Sequence, residues 1–392
     1  AGWFAQGGAG FGSYEHGFFK ESVHAARVVH LDGTVKEYTG DELQELVADA
    51  EGVTGIITEL VFGVRALEDE VHRVLALPTI EALQKALSAI SAEKLPIWSL
   101  TFLNPESIKL KKTLPHRHGH PYEMAHEHYE PVLPEAFLAV IAYPASRHEA
   151  IDAPLRAILE SAGGTELDAE AAEHEWEQRF APMRLKRVGP SIVPTEVVVP
   201  LGELDQVLST IDSRVKQPFV LEGMLGKGDK VVLLGFIPHD ERSLAFNLAF
   251  ALSLVVIKIA NQHRGGAYST GLYFRQEGKK VLGESKLAAL QAFKRTNDPG
   301  NLLNPKKVVG SSLLNGFMKF ALAIEPVVRP IANLATPPKK VESLETDGDR
   351  LTGVLEPCQT VPQVATLGRG GCCRAARISQ RASGAALVRE LQ

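Results

Sequence analysis

VHRVLALPTIEALQKALSAISAEKLPIWSLTFL (residues 71–103) changes period twice. VHRVLAL is short, apolar and β-rich and predicts a strand. TIEALQKALSAI (79–90) carries its apolar residues at three- and four-residue spacing and predicts a helix, and IWSLTFL (97–103) predicts a second strand. The rhythm recurs in AFLAVIAY (136–143), a strand, and in SRHEAIDAPLRAILESAG (146–163), a helix stopped by Gly163-Gly164. TEVVVPL (195–201) and KVVLLGFI (230–237) add strands. Strand–helix–strand units with antiparallel returns predict an α+β domain whose sheet is covered by helices on one side.

Upstream, ARVVHLDGTVKEYTG (26–40) places two β-rich runs around Asp32-Gly33, a hairpin signal. DELQELVADA (41–50) reads as a short helix, and EGVTGIITELVFGVRAL (51–67) as a tight turn leading into a strand. The chain has 392 residues, enough for two domains and a substantial core, with 45% hydrophobic residues and 23% charged. Its net charge of −5 with interspersed signs supplies no basic footprint for nucleic acid. SLAFNLAFALSLVVIKIA (243–260) is about as long as a membrane span, but Asn247, two serines, Lys258 and the preceding HDER favour a buried helix over a transmembrane segment. Cys358, Cys372 and Cys373 all lie in the last 35 residues, so no disulfide framework holds the body, which suits a reducing cytoplasm.

Three segments carry chemistry. AGWFAQGGAGFGSYEHG (1–17) is dense in small residues, which let backbone N–H groups approach an anion or the edge of a flat ring. It is neither a Walker loop nor a Rossmann fingerprint, since no Gly-Lys-Ser/Thr follows and no strand–helix frame surrounds it. EGVTGIITE (51–59) sets two glycines before a strand, and FKRTNDPGNLLNPKKV (293–308) ends a helix in a Pro/Gly turn. Taken singly, these read as a flexible turn, a β-turn and a helix end.

In this order the three segments resemble the FAD-linked oxidase family of vanillyl-alcohol oxidase and p-cresol methylhydroxylase type, in the branch of glycolate oxidase flavin subunits and D-lactate dehydrogenases. The third segment matches that family's K-x-x-x-DP-x-x-x-LNP-x-K-V signature. The resemblance implies the end of a PCMH-type FAD-binding domain over 1–68 and a ferredoxin-like α+β FAD-linked oxidase C-terminal domain over 69–309. Residues 310–342, apolar but broken by Pro326, Pro330 and Pro337-Pro338, read as a linker or docking segment, and 343–392 as an irregular tail. The resemblance implies FAD as cofactor, held by Gly7, Gly8, Ala9, Gly10, Gly12, Ser13, Gly17, Glu51, Gly52, Gly55, Ile56, Ile57 and Asn304. It also implies that a segment carrying the main pyrophosphate loop would precede residue 1, so that part of the cofactor site is expected to be missing.

The family's G-H-x-G-D-G-N-x-H motif, whose histidines can bind a divalent metal, corresponds to Gly223–Val231 here, with Met224 and Val231 at the histidine positions. Neither side chain is a hard-metal ligand or a base, and no metal is expected from this route. The family's S-G-E-H-G-I-G corresponds to Tyr268–Tyr273 and lacks the Glu-His pair. The candidates left for catalysis are Tyr268, Arg264 and Lys227, with Tyr273 beside them. Arg184 and Arg187, ahead of the E-V-x-VP strand, are candidates for meeting an anionic substrate or are ordinary surface arginines. His116, His118, His120, His126 and His128 (within 115–130) read as a solvated loop rather than a metal site.

LEPC (355–358) resembles the start of an iron–sulfur module, but no C-x-x-C run follows, and the Arg-, Gly- and Ala-rich tail points to a remnant, a truncation or a changed reading frame. The resemblance implies an FAD-dependent dehydrogenase that oxidises a small 2-hydroxy acid or related alcohol. The expected partners are a small anionic substrate and an iron–sulfur electron acceptor, separate or fused. The place is the cytoplasm, or the membrane periphery through a partner. The rival reading is an FAD-binding electron-transfer or scaffold subunit without substrate chemistry of its own, and a third is a chain that holds no FAD.

Overall fold

The computed structural model describes residues 1–112, 131–180, 185–186, 191–309 and 313–335. All of these fall in the first of two compact units, Ala1–Pro338. The histidines of 115–130, Arg184, Arg187 and the cysteine-bearing tail lie outside the described residues.

A small sheet comes first. β1 (Val23–Val29) pairs antiparallel with β2 (Val35–Thr39) and on its other edge with β3 (Ile56–Phe62). Asp32 accepts from the Thr34 N–H at 3.0 Å and Gly33 sits at φ +81°, so the Asp-Gly hairpin forms where the sequence places it. Between β2 and β3, α1 (Gly40–Leu46) buries Leu43 against Phe4, Val28 and Tyr38.

The second sheet carries β4 (Glu70–Leu77), β5 (Ser99–Leu103), β6 (Phe137–Pro144), β7 (Thr165–Glu166), β8 (Ser191–Pro200), β9 (Val220–Gly226), β10 (Lys230–His239) and β11 (Gly266–Ala267). The strand order is β11-β8-β10-β9-β5-β6-β4-β7, and every pairing is antiparallel. On one face lie α2 (Ile80–Ala92), α4 (His148–Ala162), α6 (Leu204–Arg214) and α7 (Leu244–Gln262). Their apolar stripes meet Leu75, Phe102, Ile141, Val197, Leu225 and Leu233 in one continuous core. α2 begins at Thr79, whose side chain accepts from the Ala82 N–H, and α4 ends at Gly163 in the left-handed region, at φ +69°.

The other face is covered too, which departs from the one-sided expectation. α3 (Pro105–Lys111) and α5 (Ala169–Glu177) bring Ile108, Ala172 and Trp176 against Val74, Leu138 and Val140. The glycine-rich segment lays Ala9 over Met224 and Val232. The strands of β6 are buried on both faces and read as a continuous apolar run, which periodicity alone does not resolve into one-sided or two-sided burial.

α7 is, among the described residues, the helix long and apolar enough to cross a membrane. Nine of its residues, Ala249 and Leu252 among them, are buried here, and the Ser253 hydroxyl donates to Pro194 O on β8 at 2.6 Å. α8 (Glu284–Asn297) precedes the DP-x-x-x-LNP turn. The stretch read as a linker or docking segment, 310–342, is helical where it is described: α9 (Leu313–Ala323) and α10 (Glu325–Asn333). α10 docks on α7 through Lys258 Nζ and Glu325, 2.9 Å apart, and Gln217 donates to Ala335 O at 2.5 Å. The prolines that suggested a linker are accommodated at the start of α10 (Pro326) and inside it (Pro330).

Candidate functional site

The three glycine-bearing segments, far apart in sequence, meet at Glu51. Its carboxylate accepts from the Thr270 hydroxyl (2.5 Å) and the Gly271 N–H (2.8 Å), and its other oxygen lies 3.2 Å from Lys307 Nζ. Asn304 Nδ2 donates to the Glu51 carbonyl at 2.6 Å, and the Glu51 N–H donates to Ala5 O at 2.7 Å. One residue thus joins the first segment and Asn304 through its backbone, and the Tyr268–Tyr273 loop and Lys307 through its buried carboxylate. Both Glu51 and Asn304 hold positive φ, 48° and 40°.

A cleft of about 470 Å³ opens beside this junction, lined among others by Gly7, Lys20, Asp49, Val198, Lys230, Arg264 and Tyr268. Lys20 Nζ lies 2.5 Å from Asp49, and Lys286 approaches the same carboxylate at 3.6 Å. Burial lowers the pKa of Lys286, with Asp49 opposing the shift.

The glycines have definite neighbours. The Trp3 indole lies on Gly8 and Gly10, where a Cβ on Gly10 would meet the ring at 2.6 Å, and Trp3 Nε1 donates to Ala9 O at 3.2 Å. Gly7 leaves room for the Asp49 carboxylate, Gly17 for that of Glu21, Gly52 for Asn304 and Gly55 for Val28, while Gly12 faces Trp98 in ordinary contact. Ser13 is buried: its hydroxyl accepts from the Gly10 N–H at 2.8 Å and its carbonyl accepts from the Lys227 N–H at 2.8 Å. Ile56 is exposed and Ile57 packs at the edge of the small core. Gly8 and Gly10 therefore leave their backbone open to a flat aromatic ring, while Ala9 between them turns its side chain to Met224 and Val232, and in that respect the strip fits an isoalloxazine.

Of the catalytic candidates, Tyr268 sits deepest. Its phenol oxygen accepts from the Ala9 N–H at 2.5 Å, and burial pushes its pKa up to about 12. Arg264 lines the cleft but is bound to Glu203 through Nε (3.0 Å) and Nη2 (2.5 Å), with His263 on the other oxygen at 3.0 Å. Lys227 caps the β9–β10 turn with its side chain exposed. Tyr273 is half-exposed against Phe250, with ring centroids 5.2 Å apart.

Register explains what became of the histidine positions. Met224 pairs with Val232 and Thr101 and faces Ala9. Val231 pairs with Leu225 and Val199 and belongs to the helix-covered core on the opposite face. The two positions cannot share a ligand. Among the described residues no group of three His, Cys, Asp or Glu is placed to hold a metal ion.

The Met224 face carries two carboxyls: Glu196, the Glu of the E-V-x-VP strand, and Glu222, which motif reading passed over. Across β8, β10, β9 and β5, Glu196, Leu234, Glu222 and Leu103 stand in one row, and Tyr268, whose N–H donates to Glu196 O at 3.0 Å, continues it. Burial raises the Glu196 pKa and pushes that of Glu222 to about 7, only partly offset by Lys111. Lys111 Nζ is committed to Glu175 at 2.5 Å, and although burial pushes that carboxyl up, Lys111 and His174 outweigh it and bring it to about 2. The available signal was composition: Glu222 is the lone charge in the strand VLEGMLG.

Residues 67–308, more than half of the chain, match the C-terminal domain of the FAD linked oxidases. A probable mitochondrial D-lactate dehydrogenase from Danio rerio is 24% identical over 331 residues, 78% of this chain and 64% of that protein. Among solved structures, p-cresol methylhydroxylase with substrate bound superposes with a TM-score of 0.59 at 15% identity, over 78% of this chain and 68% of that one. Alkyldihydroxyacetonephosphate synthase gives 0.58 at 18%, over 78% and 57%. At these identities the likeness to the solved structures is one of fold, and the chain spans less than two thirds of the D-lactate dehydrogenase it matches. With the domain match covering most of both the large sheet and its helices, the chain belongs to the FAD linked oxidases, a family whose cofactor is FAD.

Proposed function

We propose that the chain belongs to an FAD-dependent dehydrogenase that oxidises a small 2-hydroxy acid or a related alcohol. The observation that carries this reading is the convergence of the glycine segment, the EG turn, the Tyr268 loop and the LNPKKV turn on Glu51, beside one cleft. Likeness to a D-lactate dehydrogenase supports the substrate class.

FAD, when bound, supplies an acceptor for the hydride taken from the substrate carbon. The chain's own residues do the rest. Gly8–Gly10 offer a flat surface for a ring, and Ser13 and Glu51 hold the two glycine segments in place. Glu51 and Asn304 fix the turns that bear Gly52 and Gly55. Lys230 places positive charge at the cleft, where an anionic substrate meets it, while Lys20 there is held by Asp49, and Tyr268 is part of the wall. Met224 and Val232 form an apolar patch beneath Ala9 that seats the glycine segment on the large sheet. In the whole protein, electrons pass to an iron–sulfur partner or fused module, in the cytoplasm or at the membrane periphery through that partner.

A second reading is an FAD-binding electron-transfer or scaffold subunit. It is favoured by Met224 and Val231 at the histidine positions and by the pairing of Arg264 with Glu203. Anaerobic mixing of the FAD-loaded protein with a panel of hydroxy acids and alcohols separates the two. Bleaching of the flavin absorbance by at least one of them is the expected result, and an unreduced flavin with every compound would sink the dehydrogenase reading.

A further inference from the structure

Three carboxylates that line the cleft are committed. Glu51 is held by Thr270, the Gly271 N–H and Lys307. Glu21 accepts from the Phe18 N–H at 3.1 Å, and Asp229 accepts from the Ser91 hydroxyl. Asp49 differs from them. It lines the same cleft at 9% exposure, and its two oxygens are unequally engaged. Oδ2 takes Lys20 at 2.5 Å, with Lys286 at 3.6 Å. Oδ1 is buried and, among the described residues, has no hydrogen-bond partner.

The backbone around it explains why. Asp49 sits at φ +51°, in the left-handed region that aspartate enters more readily than most residues. Gly7, at φ +73°, faces Oδ1 without a side chain, and a Cβ there would lie 2.5 Å from that oxygen. The Gly7 N–H is spent on Phe4 O at 3.3 Å, so it gives Oδ1 no donor. Charge then narrows the kind of donor that fits. Lys20 and Lys286 already share Oδ2, while Lys286 also donates to Gln44 O at 2.7 Å and feels Glu45. A further cation at Oδ1 would meet the repulsion of both lysines, so the oxygen suits a neutral donor. A buried acceptor without a donor is costly, and a ligand that brings one relieves that cost.

We propose that Asp49 Oδ1 is a binding-site acceptor for a hydroxyl group on the carbon chain of a ligand in this cleft. Two ligands of the proposed reaction carry such a group, FAD on its ribityl chain and the hydroxy acid itself. For either, Asp49 fixes the chain by one charge-assisted hydrogen bond while Lys20 holds the other oxygen. The inference rests on the cleft of the proposed function, and binding reads it out without turnover.

The test uses the full chain. Riboflavin and lumiflavin share one ring system, but lumiflavin has a methyl group in place of the ribityl chain. Quenching of flavin fluorescence gives both affinities in wild type, Asp49→Ala and Lys286→Met. If the cofactor supplies the hydroxyl, Asp49→Ala should weaken riboflavin by about 10- to 100-fold, the worth of a hydrogen bond to a charged acceptor, and leave lumiflavin unchanged. If the substrate supplies it, flavin affinities should hold. A loss of the same size should then appear, by calorimetry on the FAD-loaded protein, for D-lactate and not for propionate, which lacks the hydroxyl. Asp49→Asn, which leaves an amide N–H₂ at the cleft when Lys20 keeps the oxygen, stands in if the alanine variant does not fold. Lys286→Met removes an ion pair from Oδ2 and should retain the wild-type preference within each pair of compounds. An equal loss of preference in Lys286→Met assigns Asp49 a structural role and overturns the proposal. Affinities for all four compounds that match wild type in the Asp49 variants overturn it too, as does a wild type without either preference. A ribityl preference in a flavin that no hydroxy acid reduces would sink the dehydrogenase reading and leave the Asp49 site standing.

Discussion

At the scale of single residues, the large sheet holds two carboxyls whose pKa burial raises: Glu196, the Glu of the E-V-x-VP strand, and Glu222, which no motif marks. A carboxyl raised by burial stabilises the fold while protonated: its contribution is complete below the unfolded value of about 4.3 and is lost as the pH rises through the folded value. For Glu222 that window runs from about 4.3 up to about 7. Wild type should therefore lose stability relative to Glu222→Gln between mildly acidic and mildly alkaline pH, by on the order of 3 kcal/mol. Urea midpoints of both proteins at the two ends of the window check this, and parallel curves would refute it. Tyr268 makes a different case. Tyr268→Phe leaves the Ala9 N–H, on a buried residue, without its acceptor and should cost about 1–3 kcal/mol in the same assay.

At the scale of elements, strands and helices came out of the sequence with their limits nearly right, because hydrophobic period reports local burial. The helix read at 79–90 is α2 (Ile80–Ala92), and the stop at Gly163-Gly164 is the left-handed cap of α4. The long apolar run at 243–260 is α7, and its apolarity is accounted for by packing on β8 and under α10. Leu252→Ala in α7 should cost about 2–5 kcal/mol, read as a drop in thermal midpoint. Proline punctuation between 310 and 342 left a linker and a docking segment both open; Pro326 and Pro330 belong to α10, where tertiary contacts from Lys258 and Gln217 outweigh local propensity. The glycine strip is an element of a kind as well. Gly10→Ala would push its Cβ into the Trp3 ring, so the expected result is a red-shifted tryptophan emission and weaker retention of added FAD. Unchanged emission would mean that the indole does not lie there in solution.

At the scale of the whole molecule, Glu51 is the tie between the small sheet and the large one. Replacing it with alanine leaves Lys307 and the Gly271 N–H without their carboxylate in a buried setting, a loss of about 3–5 kcal/mol. The loop 268–273 and the turn 304–308 should then gain hydrogen exchange together, although 30 residues and α8 separate them. Faster exchange in only one of the two would break the claim that Glu51 couples them. The match over residues 67–308 takes in the large sheet, α8 and the closing turn, so loosening this tie is expected to reach the cofactor surface as well as the fold.

The sequence by itself determined the periods, the caps, the hairpin at Asp32-Gly33 and the order of the family segments, since each depends on neighbours within a few residues or on a short motif. Tertiary structure alone decided which face each strand residue took. Register sent Met224 toward the glycine segment and Val231 into the opposite core, and it lined up Tyr268, Glu196 and Glu222 from strands far apart in the chain. It also decided that Arg264 belongs to Glu203 and Asn304 to Glu51. Side-chain charge and hydrogen-bond partners are settled by contacts across long sequence separations, and no local pattern encodes those distances.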